Sequence, residues 1–155
     1  MKSNLFKLVS LISVLILLVS CKVDENGNNK EQYIGYIKLE ENVLHLDEVE
    51  WITDENKDRI KELDLSQQSD MPNGYYIFNL SSDTTSFKLK EKTVYNFIDW
   101  GNDFVSEDDD RNYSTTSQDE FVQYLNTYSD KAGKVPFWID VKDGYVISIT
   151  EQFVN

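Results

Sequence analysis

The chain has 155 residues, with 15 lysines and arginines against 28 aspartates and glutamates and a formal charge of −13 at pH 7. That balance leaves no basic patch of the kind that holds nucleic acid, and it is repelled by an anionic membrane surface. Aromatic residues at 13% are too many for a disordered chain, so a packed domain is expected.

In chain order, Lys2 and Lys7 precede an apolar run from Leu8 to Val19, which closes in Leu18-Val19-Ser20-Cys21 at the single cysteine. A charged start, an apolar stretch of about 12 residues and a small residue before the cut describe an export signal. The run falls short of the ~20 apolar residues that span a bilayer. These residues resemble the signal peptide and lipobox of bacterial lipoproteins, in which the cysteine is acylated and becomes the new N-terminus. The resemblance implies a signal peptide over 1–20, lipidation at Cys21, and a protein held by its acyl chains on the extracytoplasmic face of the cell membrane. With the cysteine so used, no disulfide remains, and a hydrophobic core must hold the fold. About 120 residues suffice for one such core. Without Lys2 and Lys7 the remainder carries 13 basic and 28 acidic residues, a charge of −15 that favours solubility.

Lys22 to Gln32 is polar, so residues 21–32 read as the lipidated cysteine and a flexible tether, and 33–155 as one domain. Tyr33, Ile37 and Leu39 alternate with polar residues and predict a half-buried strand over 33–40. A turn at Glu41-Asn42 leads to a second strand over 43–52, where Val49 and Trp51 change parity against Leu44 and Leu46. A bulge near Asp47-Glu48 would return them to the core face. Thr53 is expected to cap a short helix through Leu63, with Ile60 and Leu63 inward. Residues 66–74 read as a loop, and 75–80, 86–90 and 93–100 as three strands. An acidic, irregular segment over 102–117 precedes a second helix capped by Thr116 or Ser117. On that helix Phe121, Tyr124, Leu125 and Tyr128 form an amphipathic stripe, which Ala132-Gly133 ends. Two final strands, 136–142 and 145–153, flank an Asp143-Gly144 hairpin turn. The pattern predicts an α+β fold: a curved antiparallel sheet or small, partly open OB-like barrel with two covering helices.

From Tyr33 on, the chain is also similar to secreted or lipid-anchored proteins of low-GC Gram-positive bacteria. The similar segments are Tyr33-Ile34-Gly35-Tyr36-Ile37, Asp47-Glu48-Val49-Glu50-Trp51, Asn96-Phe97-Ile98-Asp99-Trp100, Phe137-Trp138-Ile139-Asp140-Val141 and Ile147-Ser148-Ile149-Thr150-Glu151-Gln152. That likeness implies no activity and no functional residues.

The inventory of reactive groups is short. His45 is the single histidine, so a zinc site lacks ligands, and any Ser-His-Asp arrangement would have to use it. No G-x-S-x-G elbow and no glycine-rich phosphate loop is present. Asp99 beside Trp100, and Glu50 beside Trp51, are the candidate ligand-facing pairs, since a carboxylate against indole can serve as a general acid or a sugar contact. Asp108, Asp110, Asn112 and Asp119 occupy positions one, three, five and twelve of a calcium loop, but Tyr113 stands where such a loop needs glycine. Absence of a nucleophile motif favours a binding domain, without cofactor, for a cell-envelope component or another envelope protein. The alternatives are a small carboxylate-based hydrolase acting on envelope or extracellular polymers, and a calcium-tuned structural domain.

Overall fold

A computed structural model describes residues 20–23, 29–79, 81, 83–129 and 134–154. The expected signal peptide lies, apart from Ser20, outside the described residues, as does Ala132-Gly133. The elements in order are β1 (Ser20–Val23), β2 (Asn29–Glu40), β3 (Val43–Glu48), β4 (Glu50–Thr53), α1 (Lys57–Glu62), β5 (Tyr75–Phe78), β6 (Thr84–Ile98), β7 (Asn112–Thr115), α2 (Gln118–Thr127), β8 (Phe137–Lys142) and β9 (Tyr145–Glu151).

Five strands close a barrel in the order β2-β3-β6-β9-β8, with β8 returning to β2. The register sets its stagger. Partners followed round the circuit run Lys30, Lys142, Tyr145, Lys88, Val43, Glu40, so the path re-enters β2 ten positions from its start. Such a shear tilts the strands and fixes the bore of a small barrel that side chains can fill. The fold is therefore the expected α+β, OB-like barrel with covering helices. Two refinements apply: the barrel is closed, and β6 and β9 run parallel while the other barrel pairs are antiparallel.

Closure depends on β2 serving two neighbours. Its residues 30–35 pair with β8 and 35–40 with β3, so Gly35 is common to both ladders. A Cβ there would lie 2.2 Å from the Asp47 carbonyl oxygen, so only glycine allows β3 to come this close. β2 begins at Asn29 rather than at Tyr33, and Ser20–Val23 pairs with 29–32. Polar composition concealed this because the strand is held by polar partners: Asp140 on β8 accepts from Gln32 Nε2 at 2.9 Å and pairs with Lys30 Nζ at 2.9 Å.

The core is built by alternation. Leu44 and Leu46 on β3, Tyr95 and Phe97 on β6, Ile139 on β8 and Val146 and Ile149 on β9 all point into the barrel. α2 covers one end, with Ser117 Oγ accepting from the Glu120 amide as its cap. Its stripe is inward as expected: Phe121 and Tyr124 are fully buried, and Leu125 and Tyr128 pack at the margin. Phe121 stacks on Tyr95 at 4.7 Å and Tyr124 on Phe97 at 4.1 Å, contacts that add about 0.5–1.5 kcal/mol each beyond burial.

Outside the barrel, β4 and β5 form a separate two-stranded sheet. The bulge expected near Asp47-Glu48 is instead a break at Val49, whose amide bonds to the Ile34 carbonyl at 2.9 Å. Val49 is buried as expected, but Ile52 is the buried residue of β4 and Trp51 is only half-buried. Thr53 ends β4, α1 begins after Asn56, and Ile60 and Leu63 are half-buried. The two strands expected over 86–90 and 93–100 are one strand, irregular between Leu89 and Val94. Within the segment expected to be irregular, Asn112–Thr115 forms β7 against β6.

Candidate functional site

The two carboxylate–indole pairs are both engaged in holding the fold. Glu50 accepts two 2.9 Å bonds from Arg59 Nε, Arg59 also pairs with Glu62, and its guanidinium lies 5.2 Å over Phe78. Trp51 stacks on Tyr75 at 4.3 Å, locking β4 to β5. Asp99 is fully buried and accepts from the amides of Asp103, Phe104 and Val105 at 3.0, 2.7 and 2.9 Å. Burial pushes its carboxyl up, but these amide bonds outweigh burial and hold it below the usual aspartate value. Trp100 donates from Nε1 to Glu151 at 3.3 Å and stacks on Phe153.

Sequence reasoning missed Glu151. It is buried and takes donors from the Ile98 amide, the Trp100 indole and the Tyr124 hydroxyl. Its apolar-alternating neighbours Ile147 and Ile149 marked a strand, and nothing in that pattern marked a buried acid. Together Asp99 and Glu151 fix the turn at Ile98-Asp99-Trp100 against α2, and Tyr128 donates to Asp103 in the same turn. These carboxylates are satisfied by protein donors, as anchors are.

The calcium-loop residues are not brought together. Asp110 accepts from the amide and side chain of Asn112, Asn112 opens β7, and Asp119 sits in the first turn of α2. A strand thus intervenes where a coordinating loop would have to curl. Among the described residues, no group of three or more His, Cys, Asp or Glu side chains is placed to hold a metal ion.

A different region offers unsatisfied chemistry. On the outer face of β2, β3 and the start of β6, a groove of about 380 Å³ is lined by Tyr36, Ile37, Lys38, Glu40, His45, Asp47 and Thr84. Strand alternation puts all of them but Ile37 there: Leu44 and Leu46 face inward, so His45 and Asp47 face outward, opposite Lys38 and Tyr36 in the ladder. Lys38 Nζ lies 2.6 Å from Glu40, which holds the Glu40 carboxyl below its ordinary value. His45 reaches Glu40 through Nε2 at 3.5 Å and Ser86 Oγ through Nδ1 at 2.9 Å. His45 is thus half-buried on the outer strand face, and Ser86 is exposed on a strand rather than on a nucleophile elbow.

Asp47 is the exception in this network. Its Oδ2 accepts from Asn79 Nδ2 at 3.1 Å, whereas its Oδ1 is sealed from solvent and, among the described residues, has no hydrogen-bond partner. Burial, then the nearby Asp47 and Tyr75, raise the pKa of the Tyr36 phenol, so it remains a neutral donor and acceptor. Alternation marked Tyr36, Lys38, Glu40 and His45 as outward-facing. Their convergence depended on the β2–β3–β6 register, which no local pattern specifies.

Comparison with family models, curated proteins and solved structures finds no match for this chain. No helix among the described residues is long and apolar enough to cross a membrane.

Proposed function

We propose that this chain is a lipid-anchored, extracytoplasmic binding domain, displayed from acylated Cys21, that takes a cell-envelope component on the outer face of β2, β3 and β6. The observation that carries this reading is the groove itself: polar side chains, the Asp47 carboxylate among them, on a rigid ladder. OB-like barrels use the outer face of the corresponding strands to bind extended polymers, which supports the location by fold analogy alone. The −13 charge argues against nucleic acid as that polymer. The Leu18-Val19-Ser20-Cys21 sequence supports the anchor, because stable attachment needs the two or more acyl chains that a lipobox cysteine receives.

Two measurements test this. Fatty-acid labelling should mark the wild-type protein and not Cys21→Ala; equal labelling removes the anchor. The mature full chain in detergent should co-sediment with washed Gram-positive envelope. Tyr36→Ala with His45→Ala should lose about tenfold in that retention, about 1.4 kcal/mol. Equal retention of the double variant would remove the groove from the binding face.

A further inference from the structure

Acidic residues outnumber basic ones 28 to 15, yet the fold gathers lysines along one row of the barrel's outer face. Lys30 on β2 stands opposite Lys142 on β8, Lys142 opposite Tyr145 on β9, and Tyr145 opposite Lys88 on β6. Alternation turns Lys142, Tyr145 and Lys88 outward, since Val141, Val146 and Leu89 beside them are buried. Lys90 joins the row with its ammonium 4.4 Å over the Tyr145 ring, and Lys92 is exposed in the same irregular stretch of β6. Tyr145 is itself 38% exposed, one of two large hydrophobic side chains so placed among the described residues.

Three acids stand near: Asp140, which pairs with Lys30 at 2.9 Å, Asp143 in the hairpin turn, and Glu91 beside Lys90. Five lysines against these three leave the row two charges positive. Glu31 has the other parity and takes the Tyr33 hydroxyl. Beyond Lys88 the row passes through Val43 to Glu40, whose carboxylate Lys38 holds. Acids on the far side of the barrel are screened, since exposed charges at physiological salt act over about 8 Å. Like charges directly opposite one another weaken a ladder, as Lys30 and Lys142 do. Protection of a sheet edge does not account for them, because β8, β9 and β6 here have strand neighbours on both sides. The row also runs toward the proposed anchor. On the other edge of β2, β1 places Lys22 opposite Lys30, with Cys21 the next residue along.

We infer that this row is the face the domain turns to the membrane, with anionic phospholipid headgroups meeting the lysines and Tyr145 at the lipid–water interface. The inference rests on acylation of Cys21 and adds the orientation of the anchored domain. Composition alone predicts repulsion from an anionic surface; the fold reverses the sign locally by gathering cations beside the anchor. Basic side chains next to an acyl group strengthen its hold on an anionic bilayer, and tyrosine favours the headgroup level.

Amine footprinting of the acylated full chain, on vesicles of phosphatidylcholine alone or mixed with phosphatidylglycerol, tests this face. Modification of Lys88 and Lys90 by an uncharged reagent should be at least about threefold slower on the anionic vesicles. Salt at about 1 M, where the screening length falls to about 3 Å, should remove the difference. Lys57 and Lys61, exposed on α1 outside the barrel, should react alike on both. Lys88→Gln with Lys142→Gln should abolish the protection of Lys90, and protection unchanged in that variant refutes headgroup pairing. Equal reactivity of Lys88 and Lys90 on the two vesicles overturns the inference, as does equal slowing of Lys57 and Lys61. A chain that floats with both vesicles without protection leaves the anchor standing and removes the face. Flotation with the anionic vesicles alone, with Lys88 and Lys90 protected, upholds the face and refutes the anchor. Flotation with neither refutes both.

Discussion

The buried hydroxyl of Tyr124 on α2 donates a 2.7 Å hydrogen bond to the largely buried Glu151 at the end of β9. That bond fastens the covering helix to the barrel wall at the point where β6 leaves it. Burial and the Glu151 carboxylate push the phenol pKa well above the ordinary tyrosine value. Below about pH 10 the phenol is protonated in both folded and unfolded chains, and its contribution is fully present. Above that, the unfolded chain loses its proton first, so stability falls as pH rises towards the folded value. Tyr128, pushed up to about 12 by burial and by Asp103, acts with the same sign. Tyr124→Phe should cost about 1.5–3 kcal/mol near neutrality and flatten the alkaline limb of a urea-melt pH series. An unchanged alkaline slope would mean that Tyr124 ionises alike in both states.

Asp99 predicts the opposite limb. Its folded pKa lies below the unfolded value of about 3.9, so its contribution is complete above about pH 4 and is lost as pH falls through the folded value. Asp99→Asn replaces one acceptor oxygen by a donor that faces backbone amides. It should cost about 1–3 kcal/mol at pH 7 and make the acid limb shallower. Hydrogen exchange at the amides of Phe104 and Val105 should rise in the variant; protected amides would show that another group holds the turn.

Gly35 is predicted to be intolerant of any side chain. Gly35→Ala puts a methyl group against the Asp47 carbonyl, backbone against which no rotamer offers relief. The expected loss is about 2–4 kcal/mol, read as a lower urea midpoint. A midpoint equal to wild type would show that β2 and β3 can separate there without cost.

The buried stripe of α2 separates two neighbouring substitutions. Phe121→Ala should cost about 3–5 kcal/mol, because the ring is fully enclosed between Tyr95 and Phe137 contacts. Gln123→Ala, exposed on the same helix, should stay within about 0.5 kcal/mol. Equal urea midpoints for the two variants would place the stripe outside the core.

Much of this protein was legible in the sequence because the signals concerned are local. Alternation placed Leu44 and Leu46 inward, the i, i+3, i+4, i+7 spacing placed Phe121 and Tyr124 under the barrel, and Asp143-Gly144 set a turn whose two residues both take positive φ. The acidic balance bounded the partners in the same way, since charge composition needs no fold. Only the tertiary structure decided what depended on pairs distant in the chain. Polar residues 29–32 became a strand because Lys30 and Gln32 meet Asp140, more than a hundred residues away. Asp99 and Glu50, the suggestive carboxylates, became anchors because backbone amides and Arg59 reach them first. Asp47 was brought opposite Tyr36, with one of its oxygens left without a donor among the described residues, by the strand register, and a register is a property of paired strands rather than of either strand alone.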